Sequence, residues 1–354
     1  MENRNKRILV APLNWGLGHS TRCIPIIRAL ITHGFEPILA SDGVALALLK
    51  KEFPELIHLE LPSYQVEYAK NGKFFMLKLL WNAPTMLLAI LKERTIIKKW
   101  LEEYQINGII SDNRLGVHSK LVPSVFITHQ LNVLTGSSTK ITTFLHKNII
   151  RKYAQCWVPD VDARPNLSGK LGHLKKNLHN VKYIGPLSRF EKKTLPIQYK
   201  LMVILSGPEP QRGLLEEKLI QELQDYTGKI LFVKGKIEAE QTVEVKGHIT
   251  YYNYMNSDQL ENAFNESCKV LCRSGYTTIM DLAKLEKKAF FIPTPGQFEQ
   301  EYLAKKLKRD GLIPYCKQDN FTLNKLSDIH GYSGLKGFNS IVNWKKLFYL
   351  FERE

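Results

Sequence analysis

Short apolar runs recur along the chain, each followed by a glycine-rich or polar turn and then by apolar residues at helical spacing. Residues 7–13 (RILVAPL) form such a run. Gly16, Gly18 and His19 follow, and then Ile24, Ile27, Leu30 and Ile31 share a helical face. Ser20 or Thr21 can cap that helix and Gly34 can stop it. With a second strand over 35–41 this is a βαβ unit. The pattern predicts further strands over 107–112, 124–130, 156–160 and 182–187. In the second half it predicts strands over 198–207, 229–235, 268–275 and 288–294, with helices over 213–226, 277–287 and 298–311. The last sixteen residues read as an amphipathic helix.

Strand and helix alternate twice over, which predicts an α/β chain of two doubly wound, Rossmann-like domains with parallel sheets facing across a cleft. The expected division is 1–190 and 198–340, joined by the charged, proline-containing stretch 188–198. Residues 341–354 would cross back to the first domain. In such sheets ligands bind beyond the carboxyl ends of the strands, so residues just after strands carry the candidate chemistry.

Length and composition agree with two domains. The chain has 354 residues, 44% hydrophobic, too many for one ordinary core and too apolar for disorder. The formal charge of +16 is uneven: residues 1–196 carry +14 and residues 197–354 carry +2. The basic half is therefore expected to face an anionic surface or substrate. Five cysteines, an odd number with no CxxC spacing, suit free thiols in a reducing cytoplasm and not a zinc site. The apolar run near the N-terminus is too short for a signal segment, and no run reaches membrane-helix length.

Six stretches carry candidate chemistry. GLGHSTR (16–22) places Gly16, Gly18, His19 and Arg22 on a strand-to-helix turn, where a helix N-terminus favours anions. It is neither a nicotinamide-cofactor fingerprint nor a P-loop, and a purely structural turn is the alternative. CRSGYTTIMDL (272–282) repeats the strand–turn–helix pattern. Its Thr278 and Asp281 read either as a T-x-x-D capping box or as a ribose-binding carboxylate beside the turn. IPTPGQFEQEYLA (292–304) sets Gln300 and Glu301 in the first turn of a helix, for sugar hydroxyls or merely for solvent. THQLN (128–132) offers His129, Gln130 and Asn132 after a strand, with Asp112 ending the preceding one. LSGPEPQRG (205–213) offers backbone amides to a phosphate, or is a plain turn. Residues 70–100 mix apolar bulk with Lys70, Lys73, Lys78, Lys92, Arg94, Lys98 and Lys99. They read as a surface for anionic lipid or as two core helices with a basic face.

These motifs resemble family 28 glycosyltransferases of the GT-B fold, the family typified by the N-acetylglucosaminyltransferase that forms lipid II. The resemblance covers both halves and is strongest over 268–305. CRSGYTTIMDL is similar to the family's C-R-S-G-x-x-T-x-x-E run, which implies donor-binding roles for Arg273, Ser274, Gly275, Thr277 and Thr278 and puts Asp281 at the ribose. Gln300 and Glu301 fall on its paired glutamines, the second being Glu here. Gly296 stands where the family often has His. Gly16, Gly18 and His19 resemble its glycine-rich phosphate or acceptor loop. His129 and Asn132 fall on the ends of its His-Glu-Gln-Asn motif, with Gln130 in place of Glu. Ser206 and Gly207 occupy the place of its diphosphate loop. GHSTRC (18–23) is also similar to a relative of the same fold, the nucleotide-sugar hydrolase of pseudaminic acid synthesis.

The resemblance implies transfer of a sugar from a nucleotide-diphosphate sugar, UDP-linked by analogy, to a hydroxyl or lipid-linked acceptor with inversion; hydrolysis with water as acceptor is the alternative. His19 is the first candidate base, with His129 and Asp112 in reserve. No Asp-x-Asp follows a donor-side strand, since the only match is Asp160-Val161-Asp162. Helix N-termini near 275–279, with Arg189 or Arg273, are therefore expected to meet the leaving diphosphate without metal or other cofactor. The acceptor side would comprise Gly16, Gly18, Arg22, Asn132 and Arg189. The expected location is cytoplasmic, peripheral at the inner membrane face. Nucleic acid is not an expected partner, because no helix-turn-helix, zinc-finger or stacking-aromatic motif accompanies the charge.

Overall fold

The computed structural model describes residues 5–64, 75–134, 139–174, 176, 178–236 and 238–352, and over 75–84 the backbone alone. The first half runs β1 (Arg7–Pro12), α1 (Gly18–Thr32), β2 (Glu36–Ser41), α2 (Gly43–Glu52), β3 (Ile57–Glu60), α3 (Phe75–Glu103), β4 (Ile106–Asp112), β5 (Ser124–Ile127), α4 (Thr139–Ile150), β6 (Gln155–Val158) and β7 (Val181–Tyr183). Its sheet has the order β3-β2-β1-β4-β5-β6-β7, with every pairing parallel. The second half runs β8 (Leu201–Ile204), α5 (Gln211–Glu222), β9 (Ile230–Val233), β10 (Val243–Lys246), β11 (Ile249–Tyr252), α6 (Ser257–Asn265), β12 (Lys269–Cys272), α7 (Tyr276–Lys284), β13 (Lys288–Phe291) and α8 (Phe298–Arg309). Its sheet is ordered β10-β11-β9-β8-β12-β13. Residues 188–198 between the sheets are neither helix nor strand.

Each sheet reverses its strand order once on either side of its first strand, between β1 and β4 and between β8 and β12. Such a switch point opens a crevice at the carboxyl edge. Pro12 is paired with Asp112 and Ile204 with Cys272, so the loops leaving these strands start level with each other. The central strands carry unbroken apolar runs because both faces are covered by helices: Ile8 to Ala11 are wholly buried, as are Leu201 to Val203. The last helix, α9 (Trp344–Glu352), returns to the first half. Its Phe348 ring lies 5.6 Å from Phe35, and Lys6 Nζ donates to the Phe351 carbonyl at 3.1 Å.

The structure departs from the sequence expectations in four places. β10 pairs antiparallel with β11, as an exposed edge hairpin turning at Gly247 and His248. The α2–β3 segment, α4 and α6 were not among the expected elements; Asn256 and Gln259 form a reciprocal capping box at the start of α6. Helix α1 begins at Gly18, so Ser20 and Thr21 lie inside it and do not cap it. Helix α7 begins at Tyr276 after Gly275, with no side-chain cap, so Thr278 and Asp281 form no capping box. Asp281 stands a turn and a half into the helix and accepts instead from Ser188 Oγ at 2.6 Å.

Candidate active site

The loops after β1 and β12 meet. Thr277 Oγ1 donates to the Gly18 carbonyl at 3.3 Å, and a Cβ on residue 18 would stand 2.8 Å from that oxygen. Glycine at 18 is therefore what lets the two halves close on each other here. The adjacent turn needs Gly16 as well, whose φ is +74°.

Behind this contact lies a row of polar groups. His19 Nδ1 is 2.8 Å from Asp112 Oδ1 and 2.8 Å from Arg22 Nη2. Arg22 makes a two-pronged pair with Asp112 through Nε and Nη2, and its Nη1 donates to His129 Nδ1 at 3.1 Å. A guanidinium only donates, so His129 Nδ1 is a lone pair and Nε2 carries the proton. That Nε2 donates to Glu299 Oε1 at 2.9 Å, across the cleft, and Gln130 Nε2 donates to Glu299 Oε2. Arg22 already has Asp112 as acceptor. The His19 Nδ1 proton therefore goes to the carboxylate, leaving Nε2 as a lone pair with no partner among the described residues.

Burial sets the electrostatics. Asp112 is wholly inaccessible, which alone would raise its pKa. The Arg22 guanidinium and His19 outweigh that and hold the carboxyl well below its usual range. His19 is pushed below the usual histidine value, chiefly by burial and then by Arg22, against the opposing pull of Asp112. It is therefore a neutral imidazole with a carboxylate behind it at neutral pH, an arrangement that can accept a proton at Nε2 and stabilise the resulting cation.

In the second half, α7 presents an uncapped N-terminus at Gly275, whose first-turn N–H groups can meet an anion. Ser206 and Gly207 are exposed beyond β8, and Thr294 beyond β13 lies against Gly207. Gln300 Oε1 accepts from Thr294 N at 2.9 Å, Glu301 Oε1 accepts from Gly296 N at 3.1 Å, and Ser274 Oγ donates to the Gln300 carbonyl at 2.8 Å. Gln300 and Glu301 thus brace the 294–297 loop. Burial raises Asp281 to about 6, despite the Ser188 bond and the nearby Arg189 charge. The Arg189 guanidinium lies 4.9 Å over the Phe190 ring, and its buried Nε is without a partner among the described residues.

Two sequence candidates are placed differently from expectation. Arg273 is 1% exposed and committed to the carbonyls of Ile292, Pro293 and Gln211 and to Gln318, so its charge anchors a loop. Asn132 Nδ2 donates to the Lys170 carbonyl, tying it to its own half. Of the basic segment, Lys70 and Lys73 lie outside the described residues, as does the Lys78 side chain. Sequence reasoning missed Glu299, which immediately precedes the two residues it picked, Gln300 and Glu301. Also missed was Tyr276, whose ring stacks on His129 at 4.2 Å and whose hydroxyl donates to the Pro159 carbonyl at 2.8 Å.

Comparison with known proteins agrees with this architecture. Residues 211–329 match the glycosyltransferase family 28 C-terminal domain. Among similar curated proteins is the UDP-N-acetylglucosamine--N-acetylmuramyl-(pentapeptide) pyrophosphoryl-undecaprenol N-acetylglucosamine transferase of Haemophilus ducreyi, 24% identical over 71% of this chain and 70% of that protein. The enzyme of the same name from Baumannia cicadellinicola is 25% identical over 92% and 88%. Among solved structures, MurG of Acinetobacter baumannii superposes with a TM-score of 0.59 at 15% identity, over 99% of this chain and all of that one. The spinosyn rhamnosyltransferase SpnG bound to thymidine diphosphate gives 0.63 at 13% identity, over 98% and 96%. The chain is a glycosyltransferase of the GT-B fold that carries a family 28 domain in its C-terminal half.

Proposed function

We propose that the chain transfers N-acetylglucosamine from its UDP-sugar to a hydroxyl of a lipid-linked acceptor, in one inverting displacement that needs no metal. The sugar and the acceptor class follow the names of the curated relatives. The observation that carries the mechanism is the apposition at Gly18 and Thr277. It sets a neutral histidine backed by a carboxylate on one side of the crevice and an open helix N-terminus on the other.

In this reading the acceptor hydroxyl loses its proton to His19 Nε2 while its oxygen bonds to the anomeric carbon and the bond to the UDP oxygen breaks. Asp112 stabilises the imidazolium that forms. The charge growing on the leaving diphosphate is met by the N–H groups at the start of α7 and by the 206–207 loop. Asp281 holds the ribose, and Gln300 and Glu301 hold the 294–297 loop that meets the donor sugar. His129 and Asp112 pass from reserve bases to supporting roles, because both His129 nitrogens are bonded and Asp112 is sealed behind Arg22.

The acceptor would reach the site from a membrane. Helix α3 buries Ala89 and Ile90 against Leu13 and Tyr64 and leaves Leu87, Leu88 and Leu91 exposed, with Lys92, Lys98 and Lys99 beside them; Ile141, Phe144 and Leu145 are exposed on α4. No helix among the described residues is long and apolar enough to cross a membrane. The basic surface suits peripheral contact with anionic lipid at the cytoplasmic face.

The test is incubation with UDP-N-acetylglucosamine, with and without a lipid-linked muropeptide acceptor. Release of UDP only when acceptor is present, with the sugar on the lipid, is expected. Release of UDP and free sugar in water alone would favour the hydrolase.

A further inference from the structure

Within the 294–301 segment, Gln300 and Glu301 turn back onto their own loop, whereas Glu299 alone reaches into the other half. An acidic side chain in the first turn of a helix ordinarily serves that helix's own N–H groups. Both Glu299 oxygens are instead taken by His129 and Gln130. His129 is held flat against Tyr276, so its bonding geometry is set by the Arg22 and Glu299 contacts at its two nitrogens. Arg22 in turn grips Asp112, which orients His19.

We propose that Glu299 is a positioning residue, which holds the His129 ring in place and through it couples the sugar-side loop to the orientation of the His19 base. This rests on the reading of His19 as base. Movement of α8 as the donor seats would be felt at the acceptor side through the chain Glu299, His129, Arg22, Asp112 and His19. The link also explains why Gln130 suits this chain: a glutamine amide can donate to a carboxylate arriving from α8, whereas a glutamate there would repel it.

The test uses Glu299→Gln, close in shape but uncharged, and Glu299→Ala. Imidazole ¹⁵N NMR of the free protein should report His129 as the Nε2–H tautomer in the parent, with the Nε2 signal moving to that of an unbonded N–H in Glu299→Ala. Turnover should fall at least tenfold in both variants while UDP affinity stays within about threefold. The acid limb of the rate profile should move to lower pH in Glu299→Gln, because a negative charge near His19 is lost. An unchanged His129 Nε2 signal in Glu299→Ala, a wild-type rate and limb, or a loss of UDP affinity as large as the loss of rate would each overturn the proposal. If Glu299→Ala does not fold, Glu299→Gln decides by its rate and pH limb. His19→Ala is run alongside. An active His19→Ala removes the base assignment; an inactive one beside wild-type Glu299 variants removes only the coupling.

Discussion

Thr277 Oγ1 and the Gly18 carbonyl join the two halves at 3.3 Å, on the line where the loops after β1 and β12 meet. Gly18→Ala places a methyl group 2.8 Å from that hydroxyl. The side chain can rotate, so stability should fall by only about 1 kcal/mol, while turnover falls roughly tenfold from imperfect closure. Thr277→Ala in the same chain removes the clash and should restore part of the rate. Thermal melts and steady-state kinetics of the single and double variants test this.

His19 must be neutral to act, so the rate should rise with pH through its pKa. Burial lowers that pKa, and the acid limb should therefore lie below pH 6.5. His19→Gln should reduce kcat by about 10²–10⁴-fold with UDP affinity little changed. A pH–rate profile and titration calorimetry separate the two effects.

Asp112→Asn leaves Arg22 buried without its counter-charge, which should cost on the order of 3–5 kcal/mol. The native carboxyl is held below its unfolded value, so its contribution is present above about pH 4 and is lost as pH falls through the folded pKa. The gap in denaturant midpoint between parent and variant should narrow in acid.

Asp281 shows the opposite sign. Its folded pKa of about 6 lies above the unfolded 3.8, so its contribution is complete below pH 3.8 and is lost as pH rises through 6. Asp281→Asn should stabilise the protein above pH 7, by on the order of 2–3 kcal/mol, while weakening UDP binding. A variant that melts higher yet binds nucleotide as tightly as the parent would remove Asp281 from the ribose.

Leu87, Leu88 and Leu91 are exposed, so replacing all three by serine should leave the melting temperature unchanged. Sedimentation with vesicles containing anionic lipid should drop several-fold, and binding by the parent should weaken at high salt. Equal binding to neutral vesicles would count against an electrostatic share.

The strand–turn–helix units were legible because buried parallel strands leave continuous apolar runs and the turns after them need glycine. RILVAPLNWGLG and CKVLCRSG carry both signals, and those loops do stand at the switch points. Glu299 was hidden because FEQE reads locally as a solvated first turn. Its partners lie 170 and 169 residues away, and only the packing of the halves supplies them. The Thr278–Asp281 capping pattern misled for a related reason: the helix starts three residues earlier than the motif implies, and burial against Ser188 claims the carboxylate. The β10–β11 hairpin could have been read from the alternation in VEVKGHITYY around its Lys-Gly step.

The return of α9 to the first sheet means that the chain passes between the lobes twice, and the two passages touch where Gly185 meets the Ser340 hydroxyl. A doubled strap of this kind resists separation and twisting more than it resists folding about its own line. The motion such a strap opposes least is a jaw-like swing that parts Gly18 from Thr277. Cutting the chain before Trp344 would leave a single cord, and the jaw would lose its axis.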